Sequence, residues 1–99
     1  MKRASMIPME IKEMVVKMYN GYCGVKGCVE RAQDIHHKVS NSKGNARNWP
    51  LFINSPMNLM PLCRKHHEDG KVLKDLKWTI NQAELYEEYL ISLKRGDNV

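Results

Sequence analysis

Two stretches of the chain carry a helical rhythm of apolar positions. Ile7, Ile11, Met14, Val15 and Met18 recur at steps of three and four, with Pro8 near the start and Asn20-Gly21 after the end. Residues 8–19 therefore read as an amphipathic helix that packs on a core. Near the other end, Leu85, Tyr89, Leu90 and Leu93 form an apolar stripe. Asn81 with Glu84 three residues on supplies a cap, and Gly96 after Lys94 and Arg95 supplies a stop, which predicts a helix over 82–95.

Between them the rhythm changes. Residues 22–30 form a short Gly-containing turn bounded by Cys23 and Cys28. Residues 33–39 read as a strand, and the polar run from Ser40 to Asn48 reads as a loop. That loop continues through Trp49-Pro50-Leu51-Phe52 to the turn signal Asn54-Ser55-Pro56, and its apolar residues predict that it folds back and packs. Residues 58–62 read as a short apolar strand, and residues from Cys63 to about Trp78 as a helix weakened by Gly70. No repeat or second domain interrupts residues 1–99, so the expectation is one small α+β domain.

Size adds a constraint. Ninety-nine residues bury a smaller share of their surface than a larger chain does, so a domain of this length needs a staple. Three cysteines cannot all pair internally, and the start of the chain, Met1-Lys2-Arg3-Ala4-Ser5-Met6-Ile7-Pro8, has no apolar leader run. A reducing, cytoplasmic setting is expected, in which clustered Cys and His residues point to metal rather than to a disulfide. No stretch is long and apolar enough to span a membrane.

Charge is unevenly placed. Lys38 to Lys77 holds eight of the sixteen basic residues and three of the eleven acidic ones, so the whole net charge of +5 falls in that segment. Such a local excess is the electrostatic footprint of a polyanion binder.

The residues with chemistry form two constellations. Cys23-x4-Cys28 and Cys63-x2-His66 are two short-spaced pairs of soft or borderline ligands, the donor set of a closed tetrahedral zinc site. Reading the thiols as small buried hydrophobes leaves two paired spacings unexplained. The second constellation is His36-His37 before the long loop and His67 after it. On a helix beginning near Cys63, His66 shares that residue's face, while His67 is rotated by about 100°. The two neighbours do not easily serve one ion, so His67 is expected to face His36-His37 and form a second, open metal site.

Asp34-Ile35-His36-His37-Lys38-Val39 followed by Asn58-Leu59-Met60-Pro61-Leu62-Cys63-Arg64-Lys65-His66-His67 resembles the motif of the HNH endonuclease family. Its fold is a ββα-metal finger, often with a zinc knuckle; the similarity covers residues 23–71. The resemblance implies a hydrolase that cuts double-stranded DNA and leaves a 5′ phosphate and a 3′ hydroxyl. It implies that His37 is the general base, that His36 and His67 hold the catalytic divalent ion, and that Asn58 braces the loop that aims His37. A structural zinc would sit on Cys23, Cys28, Cys63 and His66.

Two positions depart from the family's pattern. Cys63-x2-His66 stands where Cys-x2-Cys is commoner, which leaves an exchange of roles between His66 and His67 open. Lys71 stands where some members carry a third ligand, one helical turn past the last histidine. With two protein ligands the ion would keep several waters, which favours Mg²⁺ or Mn²⁺, with Ni²⁺ or Zn²⁺ as substitutes. Lys71 would then contact a phosphate, as would Lys38, Arg64 and Lys65. Asp34, two residues before His36, would orient a metal ligand or make an exposed salt bridge. Because neighbours on a regular strand point to opposite faces, the strand must end or bend at His36-His37.

Small free-standing members of the family are frequent in phages, which would place the protein in the host cytoplasm as a monomer or weak dimer. Two other classes fit part of the pattern. A non-catalytic zinc finger that binds nucleic acid leaves the three histidines without a task. An adaptor beside phage packaging or recombination proteins accounts only for the apolar helices.

Overall fold

A computed structural model describes residues 7–96. The segment Met1 to Met6, from which no leader was expected, lies outside the described residues. The framework is a two-stranded antiparallel sheet, β1 (Asp34–His37) against β2 (Leu59–Leu62), in which Asp34 pairs with Leu62 and His37 with Leu59. Pro61 sits within β2 without a backbone N–H, which a strand with one unpaired edge tolerates. Its carbonyl still accepts a hydrogen bond from the Gly24 N–H at 2.7 Å.

Five α-helices surround this sheet among the described residues, giving an α+β domain with a radius of gyration of 13.8 Å. The first, α1 (Met9–Met18), lays Val15 and Ile11 with the preceding Ile7 against Ile35 and Leu59 of the two strands. Helix α2 (Lys43–Asn48) lies inside the segment predicted as loop. The Ser42 side chain caps it by accepting from the Asn45 N–H at 3.1 Å, a signal concealed by a composition dominated by turn formers. Beyond α2, Trp49, Phe52 and Ile53 are buried with Val39 and Ala83, as the fold-back of this segment predicts.

The single helix expected from Cys63 to Trp78 is two helices. Helix α3 (Arg64–His67) ends at Glu68, and α4 (Gly70–Leu76) starts afresh because the Asp69 carboxylate accepts from the Lys71 and Val72 N–H groups at 3.0 and 3.4 Å. Asp69-Gly70 is thus a cap followed by a new first turn, and not a weak point in a continuous helix.

The last helix, α5 (Ile80–Arg95), begins before residue 82, and its cap is Thr79 with Gln82 rather than Asn81 with Glu84. The Gln82 N–H donates to Thr79 Oγ1 at 3.2 Å and the Thr79 N–H to Gln82 Oε1 at 2.8 Å. Gly96 ends it with φ of 77°, the left-handed conformation that favours glycine. Its buried face also differs from the predicted stripe. Leu85, Tyr89 and Leu93 are exposed, while Ala83, Tyr86, Glu87 and Leu90 turn inward, where Tyr86 stacks with Phe52 and Trp78.

A charged residue on the packing face hides that face from a hydrophobicity count. Glu87 is 5% exposed, and its Oε1 accepts from the Leu51 and Phe52 N–H groups at 2.9 and 2.8 Å. Glu87→Ala leaves both donors unpaired, an expected loss of about 3 kcal/mol read as a lower urea midpoint. Glu87→Gln keeps an acceptor and is expected to lose less. None of the helices among the described residues is long and apolar enough to cross a membrane.

Candidate metal centre and histidine cleft

The Cys23 to Cys28 turn is shaped to bring its two sulfurs to one point. Tyr22 and Arg31 bridge across it, the Cys23 N–H donates to the Glu30 carbonyl at 2.8 Å, and the Cys28 N–H to the Val25 carbonyl at 3.0 Å. Gly27 takes φ of 85° to turn the chain back. Gly24 passes so close to β2 that a Cβ there would lie 2.6 Å from the Met60 side chain, which explains glycine at that position.

Opposite the turn, Cys63 precedes α3 and His66 lies within it, so both face the same way. One ligand atom from each of Cys23, Cys28, Cys63 and His66 lies within 4.8 Å of every other, a set that can hold one metal ion. His66 Nδ1 is 3.4 Å from both the Cys23 and the Cys63 sulfur. A tetrahedral zinc with ordinary bond lengths places sulfur and nitrogen ligands about 3.6 Å apart, so the donors fit such an ion. The His66 backbone N–H facing the Cys63 sulfur lowers that thiol's pKa, which favours the thiolate a metal needs.

His67, one residue on, points elsewhere. Its ring meets the His36 ring edge-on with centroids 5.6 Å apart, and its Nδ1 lies 3.2 Å from Asp34 Oδ2. The neighbours therefore divide between two places, with His66 among the cysteines and His67 against β1. With Nδ1–H on the carboxylate, Nε2 is the nitrogen His67 has left for a cation. Asp34 also accepts from Arg64 Nε at 2.9 Å, and the guanidinium together with His67 holds its pKa below the usual carboxylate range.

His36 is half-buried. Burial, with the neighbouring His67, His37 and Lys38 opposing a further positive charge, pushes its pKa down to about 4, so its imidazole is neutral and able to ligate a cation at neutral pH. β1 ends at His37, whose Nε2 lies 2.8 Å from Asn54 Oδ1. Both histidines line an open cleft of about 340 Å³, together with Lys38, Lys74 and Lys77.

Asn58 is fully buried in the turn just before β2. Its Oδ1 accepts from the Val39 N–H at 2.7 Å, and its Nδ2 donates to the Val39 and Ile53 carbonyls at 3.1 and 2.9 Å. One amide thus ties the two ends of the long connection together just beyond His37.

The basic residues singled out from the sequence are scattered. Lys38 donates to the Met57 carbonyl at 3.1 Å and lies 4.0 Å from the centre of the Trp78 ring, while burial lowers its pKa. Arg64 is engaged with Asp34, and Lys65 lines a separate cleft beside Cys28 and Cys63. Lys71 is exposed on α4 and does not border the histidine cleft, because the break at Glu68-Asp69 separates it from the turn that carries His67. The lysines that do border it are Lys74 and Lys77, and their three-residue spacing is the sequence signal for a shared face. Asn54 belongs to a turn signal in the sequence, and nothing in its spacing points to the contact with His37 that the fold creates. Comparison with family models, curated proteins and solved structures returned no match to this chain.

Proposed function

We propose that this chain is a metal-dependent DNA endonuclease of the HNH type, with zinc on Cys23, Cys28, Cys63 and His66 holding its finger together. The observation that carries the reading is the separation of His66 from His67. One joins a closed donor set, while the other meets the His36 ring edge-on, and His36 with His37 lines an open cleft, the arrangement of a structural centre next to a reactive one.

In this reading His36 and His67 are the protein ligands of Mg²⁺ or Mn²⁺. When bound, the ion neutralises the scissile phosphate and the charge developing on the 3′ oxygen. Asp34 holds His67 through Nδ1 and so sets its ring orientation. His37 takes the proton from the attacking water, and Asn54 orients its imidazole. Asn58 keeps the long connection from shifting that pair relative to the strands, and the basic rim draws in the polyanion.

Supercoiled plasmid incubated with the purified chain and Mg²⁺, Mn²⁺ or Ni²⁺ should acquire nicks that DNA ligase reseals, since the ends are a 5′ phosphate and a 3′ hydroxyl. Plasmid that stays intact with all three ions overturns the proposal.

A further inference from the structure

The histidine cleft does not end at the catalytic groups. Ser40, Lys74 and Lys77 form a wall common to it and to a neighbouring hollow of about 400 Å³, where Asn45, Trp78 and Thr79 with the apolar Val39 and Ile80 complete the lining. The two lysines are exposed, and among the described residues neither makes an ion pair. Two unneutralised ammonium groups, a hydroxyl and an amide thus lead from the reactive histidines into a second recess.

The recess has a built floor. Asn45 Nδ2 donates to the Ser40 carbonyl at 2.8 Å and Trp78 stacks at 5.3 Å on Tyr86, so the residues around the opening are held in place from below. The Trp78 N–H bonds the Lys38 carbonyl at 3.2 Å, which fixes the distance between the end of α4 and the segment following β1. Lys38 itself bonds the Met57 carbonyl and sits over Trp78, which leaves Lys74 and Lys77 as the cations turned to the opening.

We infer that this second hollow seats a phosphodiester group of the same nucleic-acid strand, next to the one being cut, with Lys74 and Lys77 as its two cationic contacts. The inference rests on the nuclease reading for the direction of the strand but not for the binding itself. Phosphates repeat along a strand, so a second anion site joined to the first by a common wall matches a polynucleotide better than it matches an isolated anion. Contacts of this kind fix the register of the strand and carry no base preference.

The test is a salt titration with a protein that binds without cutting. The zinc-loaded His37→Ala chain is titrated into a fluorescent DNA duplex at a series of NaCl concentrations without added divalent ion. Each phosphate neutralised adds about 0.9 to the slope of log K against log salt, so loss of the one phosphate held by both lysines in Lys74→Ala/Lys77→Ala should reduce the slope by about 0.9, equally for unrelated sequences. Lys94→Ala/Arg95→Ala removes the same charge from the far end of α5 and should leave the slope nearly unchanged.

Thermal melting of each variant verifies folding, and Lys74→Gln/Lys77→Gln repeats the test with side chains closer in length. A slope unaffected in both Lys74/Lys77 variants, or lowered equally by Lys94→Ala/Arg95→Ala, overturns the inference. Nicking by the wild type alongside an unchanged slope overturns this site alone. A lowered slope alongside a wild type that never cuts keeps the site and removes the nuclease.

Discussion

Stripping the proposed zinc from Cys23, Cys28, Cys63 and His66 is expected to unfold the chain. Cys23 and Cys63 are buried with Leu62 in the cluster beside β2, and Val25, Met60, Leu73 and Leu76 pack on it. The ion would join the turn before β1 to the start of α3, segments about forty positions apart in the sequence. Without it those segments keep a few backbone bonds, such as Gly24 N–H to the Pro61 carbonyl. Structural zinc in small fingers contributes about 10–16 kcal/mol at neutral pH, as much as the whole stability of a typical domain, about 5–15 kcal/mol.

A strong chelator should therefore abolish the cooperative thermal transition and most of the helical circular dichroism, and added Zn²⁺ should restore both. Cys63→Ser should reproduce the loss without a chelator. Chelated, metal-free protein with an unaltered spectrum and melting temperature would show that the four side chains are packing groups only.

The second large effect is expected at His37. His37→Ala removes the group assigned to take the proton from water, and general-base catalysis contributes about 10²–10⁴-fold. The variant should lose that much nicking rate while retaining one zinc, its melting temperature and its affinity for DNA. Asn54 gives a finer test of the same assignment. Asn54→Asp keeps an oxygen near His37 Nε2 and adds a negative charge beside it, which raises the imidazole's pKa. The acid limb of the pH–rate profile should move to higher pH, a shift that a purely structural Asn54 would not produce.

The parts of this architecture that were legible in the sequence are those written in spacing. Helix α1 follows from Ile7, Ile11 and Val15, and the cluster able to hold a metal ion from Cys23-x4-Cys28 and Cys63-x2-His66, because ligands three apart on a helix share a face. The same rotation predicted the parting of His66 from His67.

What escaped was decided by side-chain hydrogen bonds. Ser42 starts a helix in a run that looks like loop, Asp69 breaks one helix into two, and Thr79 takes the cap that Asn81 was expected to hold. Glu87 escaped for a related reason. Its charge marks a position as solvated, yet the two N–H groups it receives lie on a loop dozens of residues away. The place of Lys74 and Lys77 on the cleft depends in turn on the break at Asp69, which starts α4 afresh; Lys74 lies on that helix and Lys77 caps its end.

The measurement closest to the central claim compares wild type and His67→Ala on supercoiled plasmid across a titration of Mn²⁺, with the zinc content of both proteins determined in parallel. The account predicts one zinc in each protein, nicking by the wild type only once Mn²⁺ is added, and little or none by the variant at any Mn²⁺ concentration. Nicking by the zinc-replete variant at the wild-type rate, or no nicking by the wild type, would contradict it.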